Sequence, residues 1–307
     1  MSTEKQYQWM WSNFVRFLKM KNNILNESNI INFFGDLIDK CVSYSSLLAY
    51  RTALNRPIKS LINVEIVNSE NLKQLFKYAK SHLKKQSVSV PCWKIDKVLS
   101  VLMSTKFKER CKFNSKLRND ADMFLVLLAC PKRISEFSDF RLSSLKFYKN
   151  GSMSIHPSST FFAKNHSATF QPENYNIEPN VKFPDICPVM AMKRYVNYTN
   201  KWCHNKKIVR PDFLWLNDRG TRASHQYLRS SVRNIIKESD SNISNKQSKF
   251  HSIRSVVASN MFAKYSLSMV MKRMQWASSS TFYKYYAKLG AVTNCPSVLA
   301  GCAPCVD

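Results

Sequence analysis

A chain of 307 residues is long for one ordinary core and suits two domains. Its 44% apolar content is enough to build such cores, yet no run of about 20 apolar residues occurs, which excludes a membrane-spanning helix. Forty-seven Lys and Arg against 20 Asp and Glu leave a formal charge of +27, which points to a phosphate-bearing polymer more than to an anionic membrane surface.

The first 85 residues read as helices. Tyr7, Trp11, Phe14, Val15 and Leu18 recur at helical spacing and form one apolar face. Asn26 begins a capping sequence before Ile30, Ile31, Phe33, Phe34 and Leu37. Ser43 caps a third helix carrying Leu47, Leu48, Tyr50 and Leu54, with a stop expected near Pro57. A fourth helix spans 69–83, with Leu72, Leu75, Phe76 and Tyr78 on its apolar face. The other faces of these helices carry cations, among them Arg51, Arg56 and Lys59. The polar stretch from Lys84 to Pro91 breaks the pattern and contains the expected linker, 86–91.

Helix resumes from Trp93 to Leu102, and Met123 to Cys130 reads as part of a buried helix over 115–130. Residues 144–172 alternate, and Asn150-Gly151 between Leu145–Tyr148 and Met153–Ile155 signals a hairpin. A third strand is expected around Ala163 to Phe170. Further helices are expected at 188–202, 224–238, 249–265 and 267–275, followed by a loose tail over 291–307.

Five glycines and no glycine-rich phosphate loop argue against a nucleotide-driven enzyme. Nine cysteines, odd in number and scattered, do not make a secreted disulfide framework. Cys302-Ala-Pro-Cys305 is a lone CxxC near Cys295 without histidine, so no metal site is expected. The opening residues lack the basic-then-apolar pattern of a secretory signal. The cytosol is therefore the expected compartment, or the nucleus of a eukaryotic host.

Four clusters carry chemistry. Arg133 follows an apolar helix, so it needs an anion; Glu136, at i+3, either pairs with it internally or helps present it. His251 and Arg254 are likewise spaced to share a helix face. Trp276 precedes a segment with Tyr283, Tyr285 and Tyr286 among Ser, Thr and Lys. Lys164 sits in a strand-like run, Phe161 to Ser167. Each cluster alone is equally well a salt bridge, a capping histidine, an aromatic packing helix or a surface lysine.

Their order is more specific. An Arg with a following Glu, a lysine in a β-turn region, H-x-x-R, then an aromatic followed by a Tyr resembles the tyrosine recombinase (integrase) superfamily, from about residue 5 to residue 290. The strings Pro91 to Leu99, Ile186 to Val189, His251 to Arg254 and Trp276 to Tyr286 are similar to recombinases of DIRS and Crypton mobile elements and of large DNA viruses. The resemblance implies a mainly α fold with a small antiparallel β-sheet. A helical SAM-like core-binding domain would occupy 1–85 and an α+β catalytic domain 92–290.

It also implies roles. Arg133 and Arg254 would hold the scissile phosphate, where fixed guanidinium forks stabilise the charge that builds during attack. His251 would hydrogen-bond or shuttle a proton, Lys164 would protonate the departing 5′-oxygen, and Glu136 would orient its neighbours. Trp276 stands where many relatives have a second histidine; an indole N–H donates but exchanges no proton, so Trp276 would position and pack. Gln275 departs from the glycine usual before that position. The nucleophile would be Tyr286 by the mobile-element wording, with Tyr285 as the alternative by bacterial spacing; neighbours on a helix point about 100° apart, so only one faces the phosphate. Arg51, Arg56, Lys59 and Lys132 are the candidate DNA contacts.

The expected function is a site-specific recombinase that breaks and rejoins double-stranded DNA through a 3′-phosphotyrosine link, without metal or other cofactor, to integrate or excise a mobile element or viral DNA. A monomer or weak dimer alone would form a homotetramer on synapsed DNA. The alternatives are a catalytically silent DNA-binding or packaging protein of the same fold and a type IB topoisomerase-like relaxer.

Overall fold

The computed structural model describes residues 3–22, 24–83, 93–161, 174–245, 247–276 and 278–285. The chain divides into two units, Met1–Val88 and Ser89–Asp307.

The first unit holds four helices: α1 (Thr3–Met20), α2 (Glu27–Asp39), α3 (Tyr44–Ile62) and α4 (Glu70–His82). Side chains that answer orphaned N–H groups start three of them. Asn26 Oδ1 accepts from Asn29 N–H at 2.8 Å, Ser43 Oγ from Ser46 N–H at 3.2 Å and Ser69 Oγ from Leu72 N–H at 3.3 Å. The apolar faces meet in a core of Phe14, Phe33, Phe34, Leu47, Leu54, Ile58 and Phe76. Its rings pack edge to face, Phe14 on Phe33 at 5.0 Å and Phe34 on Phe76 at 5.1 Å. α3 does not stop at Pro57 but continues to Ile62, where Asn63 closes it in the left-handed region at φ 54°. Burial of Ile58 just past the proline outweighs the hydrogen bond that Pro57 cannot donate.

The second unit begins with α5 (Ile95–Met103), α6 (Thr105–Phe113), α7 (Ser115–Ala129) and the short α8 (Ile134–Phe137). α6 was not anticipated, because it buries only Phe107 and Cys111 and its other positions are mostly charged. An antiparallel sheet follows in the order β1 (Lys146–Phe147), β2 (Met153–Ile155), β3 (Tyr175–Ile177). The hairpin predicted at Asn150-Gly151 joins β1 to β2, with Gly151 at φ 84°, a backbone region open to glycine. The strand expected around 163–170 lies outside the described residues; β3 comes after it in the chain.

A 3-10 turn (Pro184–Ile186) leads into α9 (Pro188–Asn205), α10 (His225–Ser239), α11 (Phe250–Phe262), α12 (Leu267–Met274) and α13 (Ser279–Tyr285). α7 is the central strut: Ala121 to Ala129 are all buried, and α9, α10 and α11 pack on it. A helix apolar on every side is stable only when enclosed in this way. No described helix is long and apolar enough to cross a membrane.

Candidate functional site

The site forms where α7 ends. Helix C-termini leave carbonyls without intrahelical donors, and the electrostatics there favour cations. Three cations converge on this end. Arg273 Nη2 donates to Ala129 O at 2.6 Å and its Nη1 to Asn176 O at 3.1 Å. Arg254, only 3% exposed, donates from Nη1 to Pro131 O at 2.6 Å and from Nη2 to Met274 O at 3.2 Å. Lys132 hydrogen-bonds the side-chain oxygen of Gln275. The turn 129–133 is thus tied to the end of α12 by side chains far apart in sequence.

Arg133 is half-buried at the N-terminus of α8. Its backbone N–H donates to Glu136 Oε2 at 3.0 Å, so the carboxylate reaches back over the first turn and closes it. Glu136 Oε1 also lies 3.8 Å from the Lys132 ammonium. The acid therefore orients the turn that bears Arg133.

α11 supplies His251 and Arg254 on one face. Ser252, between them, donates to Lys249 O at 2.6 Å and accepts from Trp93 Nε1 at 3.0 Å, which anchors the start of the helix. His251 is accessible, yet its pKa lies below the ordinary histidine value. Desolvation by the surrounding protein is the main cause, and the positive charges of Arg254 and Arg133 add to it. The ring is therefore mostly neutral near pH 7, with one nitrogen to donate and one to accept.

Trp276 is buried, with the Arg254 guanidinium 5.6 Å from its ring. Its ring lies 6.0 Å from that of Phe282, which is fully buried and also packs on Phe262 at 4.8 Å. Phe282 pins α13, whose last residue is Tyr285. Arg133, His251, Arg254, Trp276 and Glu136 are thus gathered around one turn. Lys164 and Tyr286 lie outside the described residues, as does the Tyr285 side chain.

Lys132 corrects an expectation. It was a candidate DNA contact, but it is 1% exposed, with its ammonium 3.7 Å from the centre of the Tyr175 ring. Burial lowers its pKa to about 7; Glu136 opposes that shift, while Arg254 and Arg133 reinforce it. Gln275, Glu136 and the Tyr175 ring enclose this ammonium, so Lys132 serves the interior of the turn and not the protein's surface. In the first unit Arg51 lies 5.1 Å over the Phe76 ring, Lys59 pairs with Glu65 and Arg56 is exposed. The sequence reading missed Arg273 and the Lys132–Gln275 contact. The one signal for the second was a glutamine where glycine is usual.

Among the described residues no cluster of three or more His, Cys, Asp or Glu is placed to hold a metal ion. A cleft lined by Asp120, Tyr195, Trp202 and Tyr227 contains none of the residues expected to act.

Known proteins share this architecture. The integrase of the Tn1549 transposon, in complex with transposon right end DNA, is 13% identical, with 92% of this chain and 90% of that chain covered and a TM-score of 0.55. XerH site-specific recombinase bound to a palindromic difH substrate is 15% identical over 88% of this chain and 71% of that chain, with a TM-score of 0.54. A lambda integrase tetramer bound to a Holliday junction is 13% identical over 96% of this chain and 79% of that chain, with a TM-score of 0.53. No curated protein matches the sequence. The phage integrase family matches residues 99–291, which include every residue gathered at the α7 terminus. The chain belongs to the phage integrase family of tyrosine recombinases.

Proposed function

We propose that this protein is a site-specific DNA recombinase that cuts and rejoins strands through a 3′-phosphotyrosine intermediate, serving the integration or excision of a mobile element or viral DNA. The observation that carries the reading is the convergence of Arg133, His251 and Arg254 beside Trp276, at the end of a buried helix.

In this reading the two guanidinium groups hold the non-bridging oxygens of the scissile phosphate, which gain negative charge as the tyrosine oxygen attacks phosphorus. The P–O5′ bond breaks, Lys164 gives its proton to the departing oxygen, and the phosphate remains on the tyrosine. Neutral His251 hydrogen-bonds beside the reacting phosphate and takes up the proton that the tyrosine hydroxyl releases as it attacks. Attack by a free 5′-hydroxyl reverses the step and joins a new partner. Tyr286 is the preferred nucleophile and Tyr285 the alternative. The protein would bind double-stranded DNA as a homotetramer on synapsed sites and be a monomer or weak dimer alone. A nuclear site of action follows from the mobile-element and viral wording of the motifs.

The test is a nicked suicide DNA substrate, selected from a random pool or from the element's own ends, incubated with EDTA. A protease-sensitive covalent band that is lost in Tyr286→Phe and kept in Tyr285→Phe supports the reading and the nucleophile. Loss only in Tyr285→Phe moves the nucleophile by one position. Tight binding with no band from wild type points instead to a DNA-binding protein that does not cleave.

A further inference from the structure

We infer that Lys132 and Gln275 form a buried strap that sets the spacing between the Arg133 turn and the Trp276 turn, making Lys132 a positioning residue of the strand-cleaving site. The inference rests on the reading of that site given above.

Two unusual features of the chain explain each other. The first is a lysine at 1% exposure, where a charge is normally excluded unless it is paired. The second is Gln275 at φ 51°, ψ 60°, the left-handed position that ends a helix and that glycine occupies most readily. Gln275 N–H donates to Lys272 O at 3.1 Å and Trp276 N–H to Met271 O at 3.1 Å, the paired bonds of a Schellman ending. Glycine would make the same backbone bonds without strain. Glycine would also leave the Lys132 ammonium without the side-chain oxygen that now accepts its hydrogen bond.

The strap runs between neighbours of the functional residues. Lys132 precedes Arg133, and Gln275 precedes Trp276. Arg254 bonds the carbonyls of Pro131 and Met274, one residue back on each side, so its guanidinium lies across the same junction. The groups facing the ammonium are Gln275 from the end of α12, Glu136 from α8 and the Tyr175 ring from β3. The positive charges of Arg133 and Arg254 and the Cys130 thiol also act on it. A shift of either turn therefore moves Arg254, Arg133 and Trp276 relative to one another.

The experiment is a double-mutant cycle on the full chain with Lys132→Met, Gln275→Gly and the pair. Three quantities are read: the rate of covalent complex formation at saturating DNA, the DNA Kd with its salt dependence, and thermal unfolding without DNA. The expected result is that each single change slows cleavage by about tenfold or more while Kd moves by less than about twofold, and that the double variant is no slower than the slower single variant. Gln275→Gly relieves a strained backbone, so it remains informative if Lys132→Met folds poorly. Additive losses in the double variant would overturn the strap. So would a shallower salt dependence of binding in Lys132→Met, which would make Lys132 a phosphate contact. Should wild type form no covalent link, the strand-cleaving reading fails by itself. The strap is then judged on unfolding alone: coupling between the two changes supports it, and additivity rejects it.

Discussion

Arg254 Nη1 donates to the carbonyl oxygen of Pro131 at 2.6 Å, across 123 residues of chain. With the Nη2 bond to Met274 O, this makes Arg254 a structural bracket as well as a candidate phosphate ligand.

This bracket separates the two arginines experimentally. Arg254→Ala removes the donor from two buried carbonyls, at about 1–3 kcal/mol each. Arg133→Ala, at a half-buried residue, is expected to destabilise the protein less than Arg254→Ala. Both should lower covalent complex formation by about a hundredfold or more. Melting temperatures read beside cleavage rates check this, and equal destabilisation by the two changes would contradict the bracket.

Lys132 predicts a pH dependence of stability. Its folded-state pKa, about 7, lies below the ordinary 10.5, so between these values the unfolded chain binds more protons than the folded one. Stability therefore rises with pH across that window. The cost of burying the charged form is fully present below about pH 7 and is on the order of a few kcal/mol. Denaturant unfolding from about pH 6.5 to 9.5 should show wild type gaining on Lys132→Met as pH rises. A constant difference would mean that the ammonium is solvated.

Phe282 predicts a local effect. It is fully buried between Phe262 and Trp276 and is the one buried residue among the described side chains of the seven-residue α13. A helix this short has little stability of its own. Phe282→Ala removes packing worth about 3–5 kcal/mol, which exceeds what such a helix can supply. Covalent complex formation should be lost while DNA affinity stays within about threefold. Phe282→Leu should retain most activity. Amide exchange should show α13 opening in the alanine variant with α7 still protected.

DNA affinity tests the surface cations. Arg56 is exposed, Lys59 is already paired with Glu65 and Lys132 is enclosed. Replacing Arg56 by alanine should reduce the slope of log affinity against log salt by about 1 if it meets a phosphate. Lys59→Ala should change it less, and Lys132→Met should leave it unchanged. Titrations at several salt concentrations decide among the three.

Much of this protein was legible in its sequence because the governing interactions are short-ranged. Asn26, Ser43 and Ser69 start helices through bonds to residues three positions on, so the caps read directly. The enclosed α7, the hairpin at Gly151 and the shared face of His251 and Arg254 follow from local periodicity and turn chemistry. Other features depended on distant partners. α3 passes through Pro57 because Ile58 is needed in the core, and α6 forms despite its charge because Phe107 and Cys111 have an interior to enter. In sequence, Lys132 looked like one more cation in a basic chain. Only the fold, bringing Gln275 to it across 143 residues, made it a buried group. A cation's role depends on what surrounds it, and those surroundings exist only after the chain has folded.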